Sequence, residues 1–97
     1  RCDIEQCRLL TLQAAEVMDR EGVKAAMPYI SMVKIVAPNM CQAVSDRAMQ
    51  IFGGAGVCQD PMIPTACTSS RFCRIADGPD EGHMSQLGTL TIRDLVS

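Results

Sequence analysis

The sequence predicts an all-α fold, an antiparallel helix bundle, and three observations carry that prediction. Apolar residues recur at three- and four-residue steps over two long segments, glycine-containing stops follow them, and no run alternates apolar and polar residues as a half-buried strand would. The chain has 97 residues, enough for one domain, and 47% hydrophobic residues, too many for a disordered chain. Net charge is −2, and only Tyr29, Phe52 and Phe72 are aromatic, which argues against nucleic-acid binding. The longest uncharged stretch, Ala48 to Gln59, falls short of the roughly 20 residues of a transmembrane helix.

The first helix is expected from Asp3 to about Arg20. Ile4, Cys7, Leu10, Ala14, Val17 and Met18 form one apolar stripe, and Leu9, Leu12 and Ala15 form a second beside it. So wide an apolar arc predicts packing against more than one neighbour. Asp3 and Glu5 near the start and Arg20 near the end suit the helix dipole, and Glu21-Gly22 supplies a stop. The second helix is expected from about Pro28, in its first turn, to Phe52. Pro38 falls mid-helix, yet Ile30, Val33, Ala37, Cys41, Val44, Ala48 and Ile51 continue in phase across it, so one kinked helix is expected rather than two.

Gly53-Gly54-Ala55-Gly56 ends that helix. An irregular stretch from Val57 to about Ser70 should follow, then a short helix from about Thr68 to Ala76. Gly78-Pro79 signals a turn, and Asp80-Glu81 suit the start of a last helix running to about Leu95, with Met84, Leu87, Leu90 or Thr91, and Leu95 facing inward.

Six cysteines, Cys2, Cys7, Cys41, Cys58, Cys67 and Cys73, invite a disulfide or metal reading. No Cys-x-x-Cys pair occurs, and Cys2, Cys7 and Cys41 sit inside helical patterns, so reduced cysteines packing as small apolar residues in an intracellular protein are expected. Structural zinc prefers close ligand pairs, so no metal is expected. A nucleophilic cysteine would need His83, the single histidine, as its base, and nothing ties His83 to any one cysteine. Two features remain. Gly53, Gly54 and Gly56 match neither a Walker loop nor a Rossmann fingerprint. They can serve as a helix cap and tight turn, or as a surface that another backbone or a flat pyrophosphate approaches closely. Asp77, Asp80 and Glu81 gather on one turn, either as helix-capping acids or as the source of a general base.

Together these motifs have a familiar pattern. Gln50-Ile51-Phe52-Gly53-Gly54-Ala55-Gly56, followed about twenty residues later by Arg74-Ile75-Ala76-Asp77-Gly78, resembles the C-terminal helical domain of acyl-CoA dehydrogenases. The sequence Asp77-Gly78-Pro79-Asp80-Glu81 is most similar to the subgroup of family members ten and eleven, which Pro38, Arg71 and Arg93-Asp94 also fit. The resemblance covers nearly the whole chain. It implies that Asp77 is the base that takes the α-proton of an acyl-CoA thioester, while hydride leaves the β-carbon for FAD. It implies that the Gly78 backbone lies against substrate. It further implies that Gln50, Ile51, Phe52, Gly53 and Gly54 meet the FAD of a neighbouring subunit in a homodimer or homotetramer, and that Pro79, Asp80 and Glu81 are FAD-contacting residues. An electron-transfer flavoprotein or oxygen would be the electron acceptor, and mitochondria or peroxisomes the location. The visible end, Asp94-Leu95-Val96-Ser97, lacks a Ser-Lys-Leu signal.

The sequence departs from the family pattern in three places. Asp77 stands where Glu is usual and is one methylene shorter, Pro79 replaces a Thr hydroxyl, and the Asp60–Ser70 stretch looks weakly helical and shortened. The chain opens at Arg1 inside a helical pattern, so a partial domain of a longer protein, inactive alone, is expected. The rival expectation is a non-enzymatic helical interaction or oligomerisation module derived from that domain.

Overall fold

The computed structural model describes residues 1–97 as four α-helices with no strand: α1 (Cys2–Glu21), α2 (Val23–Phe52), α3 (Ile63–Cys73) and α4 (Asp80–Val96). A 3₁₀ turn, Gly53–Val57, follows α2. The molecule measures 54 × 23 × 19 Å, and α2, with 30 residues, spans most of the long dimension at about 1.5 Å per residue.

Each of the other helices packs antiparallel on α2. Asp3 at the start of α1 reaches Arg47 near the end of α2, at 3.9 Å. Ser31 and Asn39 of α2 bond Gln86 and Asp80 of α4, so the two helices run in opposite senses. Lys34 of α2 meets the end of α3 at the Cys73 carbonyl. α1 packs on α2, and no backbone of α3 or α4 comes close to it, although side chains of α1 and α4 line shared grooves along α2. The buried positions are small: Cys7, Ala14, Ala26, Ser31, Ser45, Gly56 and Ser70, with Asp80 as the one charged member. Small side chains let helices approach closely, and they leave the larger apolar residues on the rims.

The helix count, the stop at Gly22 and the uninterrupted passage through Pro38 agree with the sequence. Pro38 has no N–H for the Lys34 carbonyl, and beside that gap the Asn39 side-chain Nδ2 donates to the Ile35 carbonyl at 2.6 Å.

Several boundaries and facings require correction. α2 begins at Val23 rather than Pro28, which lies inside the helix. Gly22 alone, at φ 90°, ψ 175°, reverses the chain, so Val23–Met27 are free to be helical, with two alanines among them to favour it. The third helix runs Ile63–Cys73, not Thr68–Ala76, and the Asp60–Ser70 stretch is therefore mostly regular helix. Pro64 sits in its first turn, where a missing N–H costs nothing. Thr68 Oγ1 donates to the Pro64 carbonyl (3.0 Å) and Ser70 Oγ to the Ala66 carbonyl (2.8 Å), so hydroxyls that suggest a loop bond back within the helix. On α4, Leu87 and Leu90 are half-buried, but Thr91 is exposed and Met84 and Leu95 are 50% and 80% exposed. On α1, the stripe through Cys7, Leu10, Ala14 and Val17 faces α2, whereas Leu9 and Leu12 find no second neighbour within this chain. All six cysteines are free; Cys7 is buried and Cys67 half-buried, so packing accounts for two of them, and Cys2, Cys41, Cys58 and Cys73 are exposed. No helix is long and apolar enough to cross a membrane.

Candidate functional site on the acidic turn and the glycine strip

The turn between α3 and α4 is built by its own backbone and then fastened to α2. The Arg74 and Ile75 N–H groups bond the Arg71 and Phe72 carbonyls three residues back (3.2 and 2.9 Å), so the end of α3 tightens into turns. Asp77 then adopts φ 54° and Gly78 φ 95°, two successive left-handed residues. Asp tolerates that region better than most side chains, and Gly enters it without penalty. The Asp80 N–H closes the turn on the Arg74 carbonyl at 3.1 Å. Arg74 Nε donates to Asp80 Oδ2 at 2.8 Å, a second latch between the same two residues.

Helix α2 supplies the fasteners. Asn39 Nδ2 donates to Asp80 Oδ2 (3.0 Å), and Arg74 Nη1 donates to Gln42 Oε1 (2.9 Å). Lys34 Nζ donates to the Cys73 carbonyl (2.6 Å) and the Ala76 carbonyl (2.7 Å), placing a cation where the carbonyls of α3 point outward. Asp80 is buried, and the hydrogen bonds from Arg74 and Asn39 hold its carboxyl below the usual carboxylate range against the opposing effect of burial. From α4, His83 Nε2 lies 3.1 Å from the Asp77 carbonyl. A carbonyl only accepts, so Nε2 is the protonated nitrogen. His83 Nδ1 is buried without a partner.

The predicted site residues fall into two groups. Asp77, Gly78, Pro79 and Glu81 are exposed on the turn, while Asp80 lies beneath them as its anchor. Asp80 was expected to present itself for contact, but its carboxylate is engaged inside the chain. The other group, Gln50, Ile51, Phe52, Gly53 and Gly54, is exposed at the far end of α2. Asn39, which touches the turn, precedes Gln50 by three helical turns, so the two patches stand about 16 Å apart along α2. One chain does not bring them together.

The glycines divide by cause. Gly53 has φ 63° with ψ −135°, outside the left-handed helical region that a residue such as Asp can enter, a conformation that requires glycine. A Cβ on Gly56 would meet the Met49 carbonyl oxygen at 2.6 Å, so that glycine permits the 3₁₀ turn to fold back on α2. Gly54 has no positive φ, and a Cβ there would meet nothing within 4 Å. The chain itself gives no reason for glycine at position 54.

Sequence reasoning missed Lys34, Asn39, Gln42 and Arg74 as parts of the site. One signal was available: Lys34 is the only charge between Lys24 and Asp46, in an otherwise uncharged stretch of helix.

Comparison with known proteins matches residues 1–90 to the family model described as acyl-CoA dehydrogenase, C-terminal domain. Human acyl-CoA dehydrogenase family member 11 is 45% identical over 94 residues, covering 97% of this chain and 12% of the relative. Mouse acyl-CoA dehydrogenase family member 10 is 43% identical over 94 residues, covering 97% of this chain and 9% of the relative. A solved structure from Mycobacterium abscessus, assigned as an acyl-CoA dehydrogenase, superposes with TM-score 0.95 at 40% identity over 98% of this chain and 23% of its own. The chain thus spans about an eighth of the length of the human relative. On the family match, the sequence identity and the superposition together, this chain belongs to the acyl-CoA dehydrogenases, within their C-terminal domain.

Proposed function

We propose that this chain contributes the proton-abstracting turn and a cofactor-contacting strip to an FAD-dependent acyl-CoA dehydrogenase larger than the 97 residues. The observation that carries the proposal is the state of Asp77. Its carboxylate has no hydrogen-bond partner in the chain and stands exposed at the tip of a turn whose backbone is fixed from two helices.

FAD fits the strip on the chemistry of the residues present: Ile51 and Phe52 expose apolar surface, and Gly54 is small without any internal cause. When bound, FAD supplies the acceptor for the hydride that leaves the β-carbon of an acyl-CoA thioester. The chain's own part is to hold a carboxylate at the α-carbon. Asp77 takes the α-proton onto a carboxylate oxygen, and Gly78, which is exposed and has no side chain of its own, offers its backbone to the thioester on the side away from His83. Pro79 and Glu81 are exposed next to Asp77 and are the residues proposed to meet the cofactor from this side, with Asp80 anchoring between them. Gln50 through Gly54 would reach the cofactor of a neighbouring subunit in a dimer or tetramer, which the separation of the two patches favours. The acceptor of the electrons afterwards is an electron-transfer flavoprotein or oxygen, and family analogy supports mitochondria or peroxisomes as the location.

Anaerobic mixing of the full-length, FAD-loaded protein with straight-chain acyl-CoA thioesters tests this. Asp77→Asn should abolish flavin reduction and leave flavin content unchanged. Reduction at the wild-type rate in that variant would place the base elsewhere. A wild-type protein that holds no flavin would favour the non-enzymatic module.

A further inference from the structure

The only soft backbone freedoms at Asp77 are rotations about its two backbone bonds, because the peptide units on either side are rigid planes. The plane before Asp77 carries the Ala76 carbonyl, and the plane after it carries the Asp77 carbonyl. Lys34 Nζ of α2 holds the first at 2.7 Å, and His83 Nε2 of α4 holds the second at 3.1 Å. Each plane therefore has a side-chain donor from a different helix, and together they hold the φ of 54°.

The geometry beside His83 is specific. A Cβ on Gly78 would sit 2.9 Å from His83 Nε2, so the imidazole occupies the space that the absent side chain leaves. Nδ1 is buried and unpartnered, so the ring makes no other hydrogen bond that would account for its orientation. Lys34 is likewise unpaired with any carboxylate; both of its hydrogen bonds go to the carbonyls around the turn.

We infer that Lys34 and His83 are a pair of positioning residues that set the direction of the Asp77 Cα–Cβ bond, and so the region its carboxylate reaches, by clamping the peptide planes on either side of it. Neither touches the reacting atoms. The inference rests on Asp77 being the base, and its test separates the two.

The test uses the full-length FAD-loaded protein and two readouts: hydrogen–deuterium exchange of the peptide spanning the turn, and anaerobic flavin reduction by short-, medium- and long-chain straight acyl-CoA thioesters. His83→Leu and Lys34→Met should each speed exchange in the turn and slow flavin reduction by about tenfold, the scale of one lost hydrogen bond, with flavin content unchanged. His83→Gln, which restores a donor, should recover most of both losses, which a general fault in folding would not. Unchanged exchange in both His83→Leu and Lys34→Met overturns the clamp. Faster exchange with undiminished reduction, while Asp77→Asn still abolishes reduction, overturns the positioning role. Faster exchange together with an active Asp77→Asn protein upholds the clamp on the turn and removes the base assignment instead.

Discussion

The acidic turn and the glycine strip sit at different places along α2 and differ in how much of their structure this chain explains. In the turn, nearly every unusual feature has an internal cause. Arg74 and Asp80 latch each other, Asn39 and Gln42 hold the pair, Lys34 takes the loose carbonyls, and His83 fills the gap over Gly78. In the strip, Gly53 and Gly56 have internal causes, but Gly54 has none, and Ile51 is 84% exposed. A region that accounts for itself is built to hold one geometry. A region with unexplained smallness and bare apolar surface has the form that the proposed cofactor contact calls for.

The largest effect expected from probing this contrast is at Asp80. Asp80→Ala leaves Arg74 and Asn39 without their shared acceptor. Losing one member of a fully buried pair costs about 3–5 kcal/mol. Arg74 keeps Gln42 and its side chain is 32% exposed, so a loss of roughly 2 kcal/mol is expected, measured by chemical denaturation of the full-length protein. A loss under about 0.5 kcal/mol, the level of an ordinary surface change, would show the latch to be idle.

Next is Gly56→Ala, whose new methyl would meet the Met49 backbone oxygen at 2.6 Å. Overpacking against backbone costs about 1–3 kcal/mol. Gly54→Ala, two residues away, should be neutral in the same denaturation series; equal losses at both positions would erase the distinction between them.

The pH dependence has a defined sign. The Asp80 carboxyl is held below its unfolded value by Arg74 and Asn39. Its stabilisation is therefore complete above the unfolded carboxylate range, about pH 4, and is lost as pH falls through the lower folded value. An Asp80→Asn protein should lose less stability than the wild type on acidification through that range, and parallel acid titrations would refute the assignment.

The smallest effect on folding belongs to Gly54→Leu. It should change stability by less than about 0.5 kcal/mol yet lower the flavin retained through gel filtration, because the side chain would occupy the space the strip keeps open. Unchanged flavin content would leave position 54 without a ligand-based reason.

Much of the fold was legible in the sequence because helix periodicity is local. The phase of Val33, Ala37 and Cys41 carried α2 through Pro38, and Asp80-Glu81 marked the start of α4. The third helix was displaced because Thr68 and Ser70 bond within the helix, a choice their composition does not disclose. Asp77 and Gly78 stood out as a motif, whereas their supports did not. Lys34 and Ala76 lie 42 positions apart, and Asn39 and Asp80 41 apart, so only the packing of α2 against the turn brings them together. The division of the glycines was illegible for a related reason. Conformation, internal clash and open space all read as the same letter until φ angles and neighbours are known.

The placement of α2 beneath every other helix has a consequence for how the structure can come apart. Contacts radiate from one hub, and α1 forms a spoke that meets α4 only across shared grooves, with no close backbone packing between them. Such a layout has little redundancy at the hub and much independence at that spoke. α1 could peel away without breaking a contact among α2, α3 and α4, and the machinery around Asp77 would lose no hydrogen bond. A disturbance in the middle of α2, around Lys34 to Gln42, would reach α3, α4 and the turn together. The architecture thus concentrates its vulnerability in the helix segment that also carries the fasteners of the site.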